Sequence, residues 1–238
     1  MHIPDTAPLF AWSYLEDSPS LQTIDRLLRA IPDAALLEAL KAHRGHGRND
    51  YPVEVCWGVV LLTILLRHPT TEACLAELSR NAALRTRIGI LTEAQVPKAH
   101  NLSRFLKTLG EPAFLALLQE AFAAMVGTLA ATVPTLGVHT AGDSTALKAR
   151  RDRGPAPLHL PPPSGGRKEY RDDDGTVSHV VEWFGYKLHL LVDVKHEVAL
   201  AYEVTSANTD DAKTLPGVLD RALDALPAGR LHTVAYDK

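Results

Sequence analysis

The 238-residue sequence has little cysteine and no excess of positive charge. Its two cysteines, Cys56 and Cys74, lack the Cys-x-x-Cys spacing of a metal site, so they are most simply small buried residues in a reducing compartment. Lys and Arg number 25 against 28 Asp and Glu, which gives a net charge of −3. Any contact with nucleic acid must therefore come from local patches, since the chain as a whole is not basic.

A long apolar segment and a leader are also lacking. The longest apolar run, Val59–Leu66, is far shorter than the roughly 20 residues that span a bilayer. The first residues, Met1–Phe10, contain no basic segment of the kind that opens a signal peptide. We therefore expect no membrane association and a cytoplasmic location.

The first part of the sequence has a helical pattern. Apolar residues recur at helical spacing through residues 1–134, interrupted by proline, glycine and capping residues. A helix that opens at Asp50, with Pro52 just beyond, and continues to about Leu66 is apolar on nearly all sides, which predicts that it lies at the centre of a bundle. After Pro134 the helical period gives way to a strand period, and we expect a domain boundary between residues 134 and 135.

Residues 135–238 have the pattern of a strand, a long loop, a hairpin, a helix and a final strand. The loop, residues 150–180, is rich in proline, glycine and charge and has no apolar period. A strand, an antiparallel hairpin, a crossover helix and a parallel strand make a mixed sheet with helices packed on it. The sequence thus predicts the α+β class, with an N-terminal helical bundle followed by this sheet.

The hairpin has one apolar face and one polar face. Alternate residues from Phe184 to Val192 are aromatic or aliphatic, while Lys187, His189 and Asp193 lie on the other side. The polar face is equally consistent with contacts to phosphate or a metal and with simple exposure to water. For Asp193, at the end of the strand, capping of the turn is favoured over metal binding.

Two of the predicted strands end in an aspartate. Asp143 closes the strand that begins at Leu136, and Asp237 closes the strand that begins at Leu231. A right-handed crossover puts the last strand beside the first, so the two carboxylates would converge at one edge of the sheet. Either aspartate alone would more simply cap a turn. The pair favours a site for a hard divalent cation such as Mg²⁺, which prefers oxygen ligands.

Short motifs in both halves resemble bacterial insertion-sequence transposases of the DDE, RNase H-like superfamily. The resemblance spans about residues 50–238 and depends on the order and spacing of the motifs together. In the second half it is carried by Gly142-Asp-Ser-Thr145, Phe184-Gly-Tyr-Lys-Leu-His189, Thr205-Ser-Ala-Asn-Thr-Asp210 and Val234-Ala-Tyr-Asp-Lys238. In the first half it is carried by Tyr51-Pro-Val-Glu54, Leu75-Ala-Glu-Leu78, Asn81-Ala-Ala-Leu-Arg85 and Asn101-Leu-Ser-Arg-Phe105.

The resemblance implies an incomplete RNase H-like catalytic domain over residues 135–238 and an N-terminal domain that binds DNA ends. It implies Mg²⁺-dependent DNA strand cleavage and strand transfer at element ends, in a two-metal site that could also take Mn²⁺. Asp143 is implied as the first carboxylate ligand and Asp237 as the second. The third, a glutamate on a later helix, has no counterpart up to Lys238. The resemblance thus implies a C-terminally truncated chain that is inactive by itself.

The implied partners are double-stranded DNA, both terminal repeats and target, and a second copy of the chain in a homodimer when the protein is complete. The candidate DNA contacts are Lys148, Arg150, Arg151, Lys187 and His189 in the second half and Arg104 and Lys107 in the first. Phosphate contacts need only flexible cations and carry no base information. For the loop residues a plain solvated loop is an equal alternative. For the first half, a helical bundle without a DNA role is favoured when the sequence is taken alone.

Two other functions remain open at this point. The chain could be a non-catalytic DNA-binding remnant or repressor that occupies terminal repeats. It could also be an RNase H-like nuclease unrelated to transposition, which is disfavoured because the N-terminal motifs would then be a coincidence.

Overall fold

The computed structural model describes residues 19–46, 50–149 and 161–236. The chain divides into two compact units, Met1–Leu118 and Gln119–Lys238. This division lies inside a long helix and precedes the boundary expected at residues 134 and 135. The reason is that the helix supplies apolar side chains to the cores of both units.

The first unit consists of helices joined by short turns. Thr70 and Asn81 begin two of these helices, and their side-chain oxygens accept hydrogen bonds from the main-chain N–H of Ala73 (3.2 Å) and Leu84 (3.0 Å). In chain order the elements are α1 (Pro19–Ala30), α2 (Ala34–Arg44), α3 (Val53–Leu65), α4 (Thr71–Arg80), α5 (Ala82–Arg87), a 3-10 turn (Glu93–Gln95), α6 (Ala99–Leu109) and the start of α7 (Pro112–Thr132).

Helix α3 forms the centre of this unit. Val59 and Leu62 have no exposed surface, and residues of α3 belong to two clusters of buried side chains. The prediction of a central, nearly all-apolar helix is confirmed. The Asp33 carboxylate, just before α2, accepts a hydrogen bond from the Trp57 indole N–H (2.6 Å) and makes no side-chain cap of α2.

Helix α7 is long and apolar enough, by length and composition, to cross a membrane. Gln119 and Glu120 interrupt the apolar residues of α7, so this helix contains no long uninterrupted apolar run. A core helix of a globular protein meets the same criteria, and α7 contributes the buried Phe114 and Val126 to two core clusters. The helix is therefore only weak evidence against the expected cytoplasmic location.

The second unit is built on a five-stranded mixed sheet. Its elements are β1 (His139–Lys148), β2 (Ser164–Arg171), β3 (Val177–Asp193), β4 (Val198–Ser206), α8 (Asp211–Ala225) and β5 (Thr233–Tyr236). The strand order is β2-β3-β1-β5, and β4 also pairs with β3. Strand β1 is antiparallel to β3 and parallel to β5, with α8 in the connection from β4 to β5. The α+β class and the mixed sheet are confirmed.

Part of the long loop expected over residues 150–180 is regular structure. Residues 164–171 form β2, which pairs with the first half of β3 in an antiparallel hairpin. Most side chains of this hairpin are exposed, so main-chain pairing rather than a buried face holds it together. A strand without a buried face has no alternating apolar pattern, which is why the sequence pointed to a loop. Residues 150–160 lie outside the described residues.

The prediction that the first strand ends at Asp143 is wrong. Strand β1 continues to Lys148 because β3 pairs with it along this whole length, with Asp143 opposite Leu190 and Ser144 opposite His189. Ser144 and Thr145, which follow Asp143, are also paired within the sheet. Asp143 therefore lies in the middle of a strand.

The polar face of β3 is covered rather than solvated. Helix α8 packs against β3 and β4, and His189 and Asp193 are 3% and 1% exposed. The alternative of a simply solvated face is wrong, because α8 packs on this face and covers His189 and Asp193. Asp193 accepts hydrogen bonds from the main-chain N–H of Gly137 (2.8 Å) and His196 (2.6 Å), which confirms its role in the turn.

Candidate active site

Strands β1 and β5 bring two segments of the chain together. Their parallel pairing begins at His139 opposite Thr233 and ends at Gly142 opposite Tyr236. Asp143 and Asp237 are the next residues of these two segments. Asp237 lies outside the described residues, so the convergence of the two carboxylates stays a prediction.

Asp143 is exposed on β1. Its Oδ1 accepts a hydrogen bond from the main-chain N–H of Ser144 (2.7 Å). The carboxylate shares its face of the sheet with Leu190, the residue opposite it on β3, and directly opposed residues of an antiparallel pair lie on the same face. Ser144, one residue further, lies on the α8 face.

On the α8 face, Asp211 is the centre of a hydrogen-bonded group. Its Oδ2 accepts a hydrogen bond from Ser144 Oγ (2.9 Å), and its Oδ1 accepts one from Lys187 Nζ (2.8 Å). Its main-chain carbonyl accepts a third from the Tyr236 hydroxyl (2.8 Å). Lys187 also donates to the carbonyl of Thr209 (3.0 Å). The first residue of α8 is thus tied to β1, β3 and β5.

The charges of this group favour an ionised Asp211. Burial raises the pKa of the Asp211 carboxyl, but the hydrogen bonds from Lys187 and Ser144 and the charge of Lys187 outweigh it and hold the pKa below its usual range. Burial also raises the pKa of the Tyr236 phenol, and the carboxylates of Asp211, Asp143 and Asp210 raise it further. Tyr236 therefore stays a neutral donor at neutral pH.

His189 is buried beside this group. Its Nε2 lies 2.8 Å from Thr205 Oγ1, and the Thr205 hydroxyl donates to the carbonyl of Ser206. A neutral imidazole has one donor and one acceptor nitrogen, so this contact joins His189 to Thr205 in either tautomer. Nδ1 has no hydrogen-bond partner among the described residues and lies 3.7 Å from Asp211 Oδ1. Burial lowers the pKa of His189 and the charge of Lys187 lowers it further, although Asp211 opposes this shift, so the neutral form is favoured.

A cleft of about 680 Å³ opens beside β1. Its wall combines carboxylates from β1 and the start of α8 with cations from β2 and β3. The lining includes Asp143, Ser144, Arg167, Lys168, Trp183, Lys187, Asn208, Asp210, Asp211 and Tyr236. A polar cleft of this size beside an exposed carboxylate is a reasonable place for a charged substrate.

The residues around the cleft fit a divalent cation only in part. Asp143 offers the oxygen donor that Mg²⁺ prefers. Asp210 caps α8 by accepting from the N–H of Ala212 (3.0 Å), and Asp211 is bonded to Lys187 and Ser144. Within residues 19–46, 50–149 and 161–236, no group of three His, Cys, Asp or Glu side chains could hold a metal ion. Asp143 thus fits one ligand position, and a site would need Asp237.

The predicted DNA contacts occupy several places. Lys148 is exposed at the end of β1, and Arg104 and Lys107 are exposed on α6 in the first unit. Arg150 and Arg151 lie outside the described residues. Lys187 is already bonded to Asp211 and His189 is buried, so the geometry gives no support to DNA contacts from these two side chains.

Two family models match the chain. Residues 13–108 match the model described as Transposase domain (DUF772), and residues 134–238 match the Transposase DDE domain. No curated protein and no solved structure was found to match. The DDE match, on a mixed sheet with a crossover helix, defines the second half as RNase H-like. Since the two matches together take in most of the chain, the protein belongs to the DDE transposases of insertion sequences.

Asp211 was not among the residues expected at the site. The polar segment Asn208–Asp211 has the composition of a helix cap, and a cap needs only one aspartate. Asp210 does cap the helix, which leaves the adjacent Asp211 for another partner because successive helical residues point in different directions. The sequence did contain a signal that Asp211 has a partner elsewhere. It places a second aspartate at the start of a helix and a single lysine, Lys187, on a strand of the sheet.

Proposed function

We propose that this transposase cleaves DNA strands and joins them to target DNA at the ends of an insertion sequence, in a Mg²⁺-dependent reaction. The observation that carries the proposal is the exposed Asp143, one residue past the last β1–β5 pair. Asp237 follows the same pair on the other segment. The two side chains would together hold two Mg²⁺ ions, and Mn²⁺ could take the place of Mg²⁺.

When bound, the metal ions would supply charge neutralisation for an in-line phosphoryl transfer. The chain's own contribution is to present carboxylate oxygens from a fixed backbone. Strand β1 lies between β3 and β5 in the sheet, which restricts the movement of Asp143. Within the described residues, Asp143 fits one ligand position, and no group of three acidic side chains could hold a metal ion.

The substrate of the proposed reaction is double-stranded DNA, at the element's terminal repeats and at the target. We propose residues 1–134 as the end-binding domain, with the exposed Arg104 and Lys107 of α6 as phosphate contacts. Lys148, Arg150 and Arg151 are proposed contacts near the catalytic strand. A homodimer would hold two ends together, and the protein would act in the cytoplasm.

The test measures binding of DNA that carries the ends of the element encoding this chain, by fluorescence anisotropy with and without Mg²⁺. We expect wild-type residues 1–238 to prefer these ends to a scrambled duplex and to bind them more tightly when Mg²⁺ is present. Asp143→Asn should remove the Mg²⁺-dependent gain and leave the Mg²⁺-free affinity unchanged. Asp220→Asn, on the exposed side of α8, is the matched control. Equal affinity for the element ends and the scrambled duplex would overturn the proposal.

A second function is that of a non-catalytic DNA-binding remnant or repressor, and it is supported by the exposed Arg104 and Lys107 of α6, which need no metal to contact phosphate. It predicts specific binding to element ends with no Mg²⁺ effect, and the same affinity for wild type and Asp143→Asn. Nicking of end-bearing DNA by residues 1–238 would contradict both this function and the predicted inactivity.

A further inference from the structure

One residue connects the neighbours of both proposed metal ligands. Asp211 Oδ2 accepts from Ser144 Oγ at 2.9 Å, and Ser144 directly follows Asp143. The Asp211 carbonyl accepts from the Tyr236 hydroxyl at 2.8 Å, and Tyr236 directly precedes Asp237. Asp211, the first residue of α8, therefore bonds to both segments next to the last described pair of β1 and β5.

The described pairing between these segments runs from Thr233 to Tyr236 on β5. Among the described residues, β5 lies at one end of the strand order, with β1 as its neighbour. An edge strand has ladder bonds on one side, so contacts with other elements add to what holds it in place. The bond from Tyr236 to α8 is such a contact.

Gly142 makes this contact possible. A Cβ on Gly142 would lie 2.6 Å from Cδ2 of the Tyr236 ring. The ring therefore lies directly over the β1 main chain, in space that any larger residue would fill, and this brings the hydroxyl to Asp211. Leu215 of α8 is also close, at 3.6 Å from the same Cβ position.

Lys187 completes the arrangement from the third strand. Its Nζ donates to Asp211 Oδ1 and to the carbonyl of Thr209, and its side chain is only 18% exposed. Both carboxylate oxygens of Asp211 are thus engaged with protein groups. Asp211 is placed to orient its neighbours rather than to bind a metal ion itself.

We propose that Asp211 is a positioning residue that aligns Asp143 and Asp237 through Ser144 and Tyr236. The inference depends on the proposed function, in which these two aspartates hold the metal. Under this proposal, tight metal binding requires the hydrogen bonds of Asp211, although Asp211 does not contact the metal. Groups that bond directly to metal ligands commonly change metal affinity by about 10- to 100-fold when they are replaced. Asp211 acts through the neighbours of the ligands, so its effect should lie at the lower end of that range.

The test is a Mn²⁺ titration of residues 1–238, with free Mn²⁺ measured by electron paramagnetic resonance. Asp211→Ala should weaken Mn²⁺ binding by on the order of 10-fold. Because loss of a nearby negative charge would weaken binding by itself, two uncharged changes are needed. Ser144→Ala and Tyr236→Phe should each weaken binding by a smaller factor, Ser144→Thr should retain it, and the exposed Asp220→Ala should leave it unchanged.

Thermal unfolding of the same variants separates positioning from stability. A lower unfolding temperature with unchanged Mn²⁺ affinity of the folded protein, for Ser144→Ala and Tyr236→Phe, would overturn the positioning role. Tyr236→Phe removes one hydroxyl only, so the test remains decisive if Asp211→Ala does not fold. Asp143→Asn identifies failure of the proposed function, since equal Mn²⁺ binding by wild type and Asp143→Asn would overturn the metal site and the positioning role together.

Discussion

The core of the first unit and the sheet face under α8 are buried in different ways. Around α3 the buried side chains are almost all apolar, and Val59, Leu62, Cys74 and Leu78 have no exposed surface. Under the start of α8 the buried or half-buried groups are polar, with Lys187, His189, Thr205 and Asp211 close together. Apolar burial stabilises a fold directly, whereas polar burial costs free energy unless each group finds a partner.

The difference indicates two separate tasks. The apolar core holds the helical unit together, and its chemistry needs only volume and shape. The polar group gains little net stability from its hydrogen bonds but fixes directions, because each bond restricts angle as well as distance. It lies beside the strand that carries Asp143, which is where direction matters for a metal site.

The largest effect is expected from a cavity in the apolar core. Leu62→Ala should lower the free energy of unfolding by about 2–5 kcal/mol, since Leu62 is completely buried and neighbouring side chains fill such a cavity only partly. Urea unfolding measures the change. Leu91→Ala, at a side chain 71% exposed, is the control and should change stability by less than about 0.5 kcal/mol. Equal losses from the two variants would remove the distinction between this core and the surface.

A smaller effect is expected from the ion pair on the polar face. A double-mutant cycle with Lys187→Met and Asp211→Asn should give a coupling free energy of about 1 kcal/mol. The side chains are 18% and 38% exposed, so solvent screens the pair partly.

Lys41 and Glu54 in the first unit provide the comparison. Their charged atoms lie 2.5 Å apart, but their side chains are 53% and 47% exposed. A cycle with Lys41→Met and Glu54→Gln should give a coupling of about 0–0.5 kcal/mol. Equal coupling free energies for the two pairs would contradict the expectation that the half-buried pair Lys187–Asp211 interacts more strongly than the exposed one.

The smallest effect is expected from pH. Burial holds the pKa of His189 below its usual value of about 6.5, so the unfolded chain binds a proton more readily than the folded one. The stability that depends on neutral His189 is present above pH 6.5 and decreases as the pH falls below it. His189→Gln, which keeps a donor toward Thr205, should show a smaller loss of unfolding free energy between pH 7 and 5.5. The same slope in both proteins would exclude His189 as a source of acid sensitivity.

The regular elements with a buried apolar face could be predicted from the sequence. Helices α6 and α8 have apolar residues at helical spacing because one side of each packs against a core, and α3 is apolar on nearly all sides because it lies at the centre of its unit. The alternation of the β3–β4 hairpin predicted its strands, although α8 packs on the face of β3 that carries Lys187 and His189. Strand β2 could not be predicted, since its residues Ser164–Arg171 bury no face and gain their structure from main-chain pairing with β3.

The site could be predicted only where local sequence determines it. Asp143 stood out because an aspartate in an apolar segment is unusual, but its position inside β1 depends on pairing with a strand some 45 residues away. His189 is buried because α8 packs on its face of the sheet, and this packing joins distant parts of the sequence. The link from Asp211 to Ser144 joins residues far apart in the chain, and no local pattern specifies such a contact.

The central claim is that Asp143 and Asp237 together hold a divalent metal ion. The most direct measurement is Mn²⁺ binding to residues 1–238 for the wild type, Asp143→Asn and Asp237→Asn, with Asp220→Asn as the control. We predict that each of the first two substitutions abolishes the binding seen in the wild type, and that the control retains it. Wild-type Mn²⁺ affinity in either Asp143→Asn or Asp237→Asn would contradict the claim.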